Sequence, residues 1–346
     1  MLALAALLTL ATAAAPDAAE MRGLWVVRTA LLSPETVDQA VDDAARAGFN
    51  AVFAQVRGRC DAFYRSARAP RSALLAGQPA GFDPLARLVR RAHARGLQVH
   101  AWINALLCAP AGQALPPGHL LRRFPGYALE PPGAEGVFLS PASAGAAAHL
   151  DAVVRELVGT YDLDGLHLDY IRYPGPGHDG PSLAGDLTPE LRRETLTALV
   201  SRLASAARAE RPGIAVSAAV IADEAKAVRE HAQDWPEWMR RGILDAVAPM
   251  AYTADVPVFR AQVENAVART RGSGPVWAGI GVYRLGVPGM IAHVREARRA
   301  GARGVVFFSH EWLLPADGPE LRRGVFAPPP APAAWGGGDP GGTGPR

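Results

Sequence analysis

The sequence predicts an α/β fold, a (β/α)8 TIM barrel built as one domain over residues 21–326. Two observations carry that expectation. Short runs rich in Val, Ile and aromatic residues alternate with longer amphipathic runs, and the alternation repeats eight times between Gly23 and Ser309. No compositional break marks a second core, and 346 residues is a length that α/β barrels reach as a single unit. A doubly wound open sheet is the alternative.

The elements follow in order. Gly23–Val27 is the first strand, and Ser33-Pro34-Glu35 opens a helix with a capping hydroxyl, a proline in the first turn and an early acid. That helix runs through Val37, Val41 and Ala45 to a stop at Gly48. Asn50–Arg57 is the second strand, with Gln55 and Arg57 expected on one face; the helix from Asp83 to Ala94 places Leu85, Leu88, Val89 and Ala92 at core-facing spacing. Leu97–Asn104 is the third strand, carrying His100, Trp102 and Asn104 on one face by its period of two. A Pro/Gly-rich loop without structure of its own is expected from there to about Ser140. A helix from about Ala142 to Tyr161 leads to the fourth strand, which begins at Gly165. After a second Gly/Pro-rich loop, Gly175 to Leu187, Thr188-Pro189-Glu190 caps a helix to about Glu210. The remaining strands are Ile214–Val220, Ala246–Tyr252, Val276–Val282 and Gly304–Ser309, separated by helices around Trp235–Arg241, Val258–Arg271 and Pro288–Ala300.

Composition narrows the partners. The chain is 49% hydrophobic and 20% charged, a balance that excludes a disordered or fibrous protein. The net charge of +3, with Lys226 the only lysine and no dense basic run, does not suggest a nucleic-acid role. Residues 1–15 are apolar and end in Ala13-Ala14-Ala15 before Pro16, which reads as a signal peptide despite the absence of a basic start. An exported protein, periplasmic or extracellular, is expected. The stretch is too short to span a bilayer and no later apolar run reaches about 18 residues, so no stable membrane insertion is expected after signal removal. No cysteine lies near Ala15 to take a lipid anchor. Cys60 and Cys108 fall just past the ends of neighbouring strands; an oxidising compartment allows them to pair, and two unpaired thiols are the other option. Residues 327–346 are mostly Pro, Gly and Ala with little apolar bulk, and a flexible tail is expected there.

In a barrel the chemistry collects at the C-terminal strand ends, and this chain gathers polar residues there. The fourth strand carries the least expected one. In Gly165-Leu166-His167-Leu168-Asp169-Tyr170-Ile171-Arg172-Tyr173-Pro174, His167 and Asp169 share one face of an otherwise apolar strand, where a carboxylate is costly unless paired or used. The second strand adds Arg57 with Asp61 and Tyr64 beyond it; the third His100, Trp102 and Asn104; the fourth Arg172 and Tyr173; the sixth Tyr252; the eighth His310 and Glu311. Carboxylates, arginines and aromatic faces in one cleft suit a sugar polymer, because rings stack on aromatic side chains and acids move protons. Glycoside cleavage usually takes two carboxylates: Asp169 is the first, and Glu311 ranks ahead of Asp223, Glu224 and Asp61 as the second. Arg172 and Arg57, if close, would hold Asp169 ionised, as a nucleophile or electrostatic stabiliser rather than an acid. No clustered His/Cys spacing, phosphate loop or G-x-S-x-G elbow appears, so neither metal nor cofactor is expected. A glycan-binding barrel without catalysis, or a metal-dependent polysaccharide deacetylase, are the competing readings.

Met21–Val26, Gln55-Val56-Arg57 with Asp61-Ala62-Phe63-Tyr64, Gly96–Asn104 and above all Leu168-Asp169-Tyr170-Ile171-Arg172-Tyr173-Pro174 resemble the glycosyl hydrolase-like family 10 proteins of bacteria, over about Met21 to Phe326. The resemblance implies a TIM-barrel glycoside hydrolase linked to cell-wall glycan, notably strands stripped of peptide. It maps Asp169 onto the signature acid and makes Arg57, His100, Trp102, Asn104, Arg172, Tyr173 and Tyr252 lining residues. This chain has Met250 where such proteins often carry glutamine, and Cys60 where other residues are common.

Overall fold

A computed structural model describes residues 20–130, 133–175 and 187–327. The expected signal segment, the tail beyond residue 327 and most of the 175–187 loop lie outside the described residues. The expected barrel is what forms. Eight parallel strands make one sheet: β1 (Met21–Val26), β2 (Ala51–Arg57), β3 (Gln98–Asn104), β7 (Gly165–Asp169), β8 (Ala215–Val220), β9 (Ala246–Pro249), β10 (Trp277–Gly281) and β11 (Gly304–Phe308). Their hydrogen-bonded order is β10-β11-β1-β2-β3-β7-β8-β9, and isolated bridges Val247–Val276 and Met250–Gly279 bring the two ends together.

That closing seam is thin for a reason written in the sequence. N–H groups alternate in direction along a strand. The N–H of Val247 donates towards β10, to Pro275 O at 3.4 Å, and the N–H of Met250 donates to Val220 O on β8 at 2.9 Å. Position 249 therefore faces β10, and proline there has no N–H to give. Gly279 lets the backbones approach instead, since a Cβ at that position would stand 2.8 Å from Pro249 O.

Helix boundaries follow the capping chemistry. Ser33 closes a capping box on helix Pro34–Ala47, and Gly48 ends it in the left-handed region at φ 87°. Asp83, Ser143, Thr188 and Asp255 accept the first free N–H groups of their helices in the same way. The apolar faces of these helices pack on the outward side chains of the strands.

Inside the barrel, aromatic residues fill the space. Trp25 is the hub, with ring centroids 6.2 Å from Phe53, 6.4 Å from Trp102, 6.3 Å from Tyr252 and 6.1 Å from Phe308. Such pairs contribute roughly 0.5–1.5 kcal/mol each beyond their buried area. Lower down, His100 stacks on Phe53 with centroids 4.5 Å apart, and Gly165 makes room for it. A Cβ on Gly165 would lie 2.0 Å from His100 Nδ1, so Gly165→Ala forces a buried ring off its site. Overpacking of this kind costs about 3 kcal/mol; a change in denaturation midpoint worth less than about 1 kcal/mol would show that His100 moves freely.

The segment after β3 departs from expectation. It is not structureless but holds a three-stranded antiparallel sheet of β4 (Leu107–Pro110), β5 (Ala128–Leu129) and β6 (Gly136–Leu139), in the order β4-β6-β5. Cys60, just after β2, is disulfide-bonded to Cys108 in β4, with Cα atoms 4.8 Å apart. The bond ties this small sheet to the barrel rim.

Candidate active site

A cavity of about 400 Å3 opens at the C-terminal ends of the strands. Asp169, the last residue of β7, lies on its wall. Trp102 Nε1 donates to Asp169 Oδ2 at 3.1 Å, and the backbone N–H of Tyr170 donates to Oδ1 at 2.6 Å. Tyr170 takes a left-handed conformation, φ 48°, unusual for a bulky residue and in keeping with strain held at a working site. Burial is the dominant influence on the Asp169 carboxyl and raises it to about 6, against the two hydrogen bonds and the nearby Arg172, which pull it down. The carboxyl is therefore poised as an acid, not held ionised by arginines as the sequence suggested.

The other walls are aromatic and polar. Trp102 and Tyr252 line the cavity, the latter stacked on Phe308 with centroids 5.3 Å apart and 23° between planes. Burial, then the charge of Asp169, push the Tyr252 hydroxyl far above its ordinary value, so it stays protonated. Asn104 accepts from Gln55 Nε2 at 3.2 Å and donates to Gly58 O at 3.0 Å. Arg172 is held by Glu135 at 2.6 Å and lies over the Tyr170 ring at 5.0 Å. Glu311 reaches the cavity after β11, with Ser309 Oγ 3.3 Å and Thr29 Oγ1 3.5 Å from its carboxylate.

Other expected site residues lie elsewhere. Arg57 is fully buried and bonds to the carbonyls of Asn104 and Ala105 and to Cys60 Sγ, so it braces the strand ends behind the cleft. A register shift between Gln55 and Arg57 pairs Arg57 with Ile103 and takes it off the inward face. Burial draws its guanidinium down to about 10. His100 sits a layer below the cleft, and burial draws its imidazole down to about 4. Tyr64 is buried edge-on against Tyr161, and Tyr173 is buried with its carbonyl 2.9 Å from His231 Nδ1. Asp61 lines an adjoining groove instead. Asp223 caps helix Glu224–His231, Glu224 pairs with Arg269 at 3.1 Å, and His310 meets Asp43 at 3.0 Å. Among the described residues, no hydrogen bond joins His167 to Asp169. The Nε2 of His167 accepts from Trp25 Nε1 at 3.1 Å, which leaves Nδ1 to donate to Ser217 Oγ at 2.9 Å, and burial keeps the ring neutral.

Sequence reasoning missed Arg28, Arg59 and Tyr170, which line the cavity, and Glu135, which holds Arg172. Arg28 opens a short 3-10 turn (Arg28–Leu31) and the other three come from loops or strand ends, where no periodicity points inward. Among the described residues, no three His, Cys, Asp or Glu side chains converge as a metal-ligand set, and no helix is long and apolar enough to cross a membrane.

Fold and site together define a (β/α)8 barrel with a buried carboxylic acid in an aromatic cleft. The chain belongs to the glycosyl hydrolase-like 10 family, whose model matches residues 20–282. It is 28% identical over 244 residues to glycosyl hydrolase YngK of Bacillus subtilis, a match covering 61% of this chain and about half, 48%, of that relative. It is 24% identical over 327 residues to glycosyl hydrolase DigH of Escherichia coli, covering 82% of this chain and 70% of the relative. Among solved structures, the glycoside hydrolase domain of PgaB from Bordetella bronchiseptica superposes with a TM-score of 0.65 at 16% identity, covering 88% of this chain and 97% of that one. That likeness establishes the fold.

Proposed function

We propose that the protein is an exported glycoside hydrolase that cleaves a polysaccharide, peptide-free peptidoglycan glycan in particular, with Asp169 as general acid. One observation carries the reading: the buried Asp169 carboxyl, raised to about 6 and held by Trp102 and the Tyr170 N–H in the wall of an aromatic cleft. An acid with that value is protonated in a useful fraction near neutral pH and can give its proton to a glycosidic oxygen. The carboxylate left behind keeps both hydrogen bonds and the field of Arg172. Trp102 and Tyr252 offer faces for a sugar ring. Glu311, which lines the same cavity, is the second carboxylate of this reading, acting as base or nucleophile; an N-acetyl group of the substrate is the other source of that function. The family, and relatives named as glycosyl hydrolases, support the chemistry. The apolar segment of residues 1–15 supports export to where cell-wall glycan lies.

Incubation with purified peptide-free glycan strands is expected to release soluble oligosaccharides detectable by mass spectrometry. Glycan that is bound but never cut, or that only loses acetate and stays polymeric, would refute the glycoside hydrolase reading. The pH profile follows from the raised carboxyl. Because the acid must be protonated, kcat/KM should fall as pH rises through about 6. A rate that keeps climbing from pH 6 to 8 would remove Asp169 from that role. Product stereochemistry by NMR, with Glu311→Gln alongside, separates the carboxylate route from the substrate-assisted one.

A further inference from the structure

A second cavity of about 360 Å3 adjoins the first, and the two meet at Arg28 and Arg59, which line both. Three guanidiniums, Arg28, Arg59 and Arg71, face it against one carboxylate, Asp61. Among the described residues, none of the three arginines has a carboxylate ion-pair partner. Arg28 Nη1 donates to Gln55 Oε1 at 2.9 Å, Arg59 Nη1 to Gln113 Oε1 at 3.4 Å, and Arg71 Nη1 to Phe82 O at 2.8 Å. Asp61 spends one oxygen on the Arg59 N–H at 2.9 Å. Arg28 is seated on purpose-made space: a Cβ on Gly58 would lie 2.7 Å from its Cδ. Burial and the neighbouring Arg59 both draw the Arg28 guanidinium down, while Asp61 and Glu311 act the other way. Two like charges are thus held side by side, Arg28 half-buried and Arg59 exposed, with neither guanidinium in an ion pair among the described residues.

We propose that Arg28 and Arg59 form an anion subsite beside the cleft, selecting a substrate whose sugar next to the scissile bond bears a carboxylate. Guanidinium forks match carboxylate oxygens and form hydrogen bonds about twice as strong as neutral ones. Placed where the two cavities meet, the pair reads the substituent of one ring while Asp169 acts on the bond beside it. The subsite rests on the glycosidase reading for its purpose but not for its binding. The carboxylate can come from a 3-O-lactyl ether, free in peptide-stripped glycan, or from a hexuronic acid.

The test measures binding by calorimetry on the Asp169→Asn protein and kcat/KM on the parent protein. The probes are lactyl-bearing glycan oligosaccharides, the same oligosaccharides converted to methylamides, and a hexuronate oligosaccharide. At least one carboxylate probe should bind about tenfold or more tightly than the methylamide. Whichever carboxylate probe is preferred identifies the source. Adding Arg59→Gln or Arg28→Gln should bring that preference towards unity, and raised salt should erode it. Equal binding of charged and neutral probes, or a preference that survives both substitutions, overturns the subsite. Cleavage without carboxylate preference overturns it alone. Carboxylate-dependent binding without cleavage supports it and overturns the glycosidase reading instead.

Discussion

Asp169→Asn should lower hydrolysis of peptide-free glycan by about 10²–10⁴-fold, the span that a positioned general acid supplies. The amide keeps the size of the side chain and can still accept from the Tyr170 N–H, but it has no proton to give the leaving oxygen. Stability separates this outcome from simple damage. The folded carboxyl titrates at about 6 and its ordinary value is 3.8, so between these the folded protein binds more protons than the unfolded chain. Wild-type stability from this group is therefore present at low pH and lost as pH rises through the window, the reverse of a paired carboxylate. At roughly 1.4 kcal/mol per pH unit the loss is about 3 kcal/mol. Asparagine does not titrate. The variant should accordingly gain about 2 kcal/mol of this over wild type between pH 4 and 7.5, measured by denaturant unfolding at both pH values. A variant with normal turnover would refute the role of Asp169, and a stability difference flat in pH would refute its raised value.

Replacing both Cys60 and Cys108 by alanine should destabilise the protein by about 4 kcal/mol, given a bridge across 48 residues of sequence. That corresponds to a Tm lower by on the order of 10 °C. The bridge also fixes the neighbourhood of the anion subsite, since Cys108 lines its groove and Cys60 Sγ accepts from Arg57 Nη2 at 2.9 Å. Reductant should lower the Tm of the wild type and leave that of the double variant unchanged. Equal melting of the two proteins without reductant would mean the bridge constrains nothing.

The barrel was legible in the sequence because its signals are local. Ser33, Asp83 and Thr188 cap where their side chains predict, and the strand runs are short, apolar and evenly spaced. The site was half legible, and the missing half is a matter of depth and direction. A period of two puts His100, Trp102 and Asn104 on one face, but it does not say how high each stands. Trp102 and Asn104 reach the cleft while His100, opposite Gly165, is buried in the layer beneath. The same layering leaves His167 below Asp169. Arg57 was misplaced because a single irregularity in β2 reverses every alternation that follows it. The small sheet after β3 went unseen because strands of two to four residues in a Pro/Gly-rich stretch carry no measurable period. Arg28 sits in a single 3-10 turn and Arg59 in a loop, where only three-dimensional convergence shows what they do.

The thin seam between β9 and β10 has a dynamic consequence. A barrel opens first where its ladder carries fewest bonds, so amide protons beside Val247 and Met250 should exchange with solvent sooner than those of the β1–β11 pair, whose register runs unbroken from Met21 to Trp25. Met250 and Tyr252, just past β9, also line the cleft. A glycan lying across them and the opposite wall would staple the two edges together. Substrate then acts as the barrel's last fastening, and slower exchange at this one seam on glycan binding would report occupancy of the cleft.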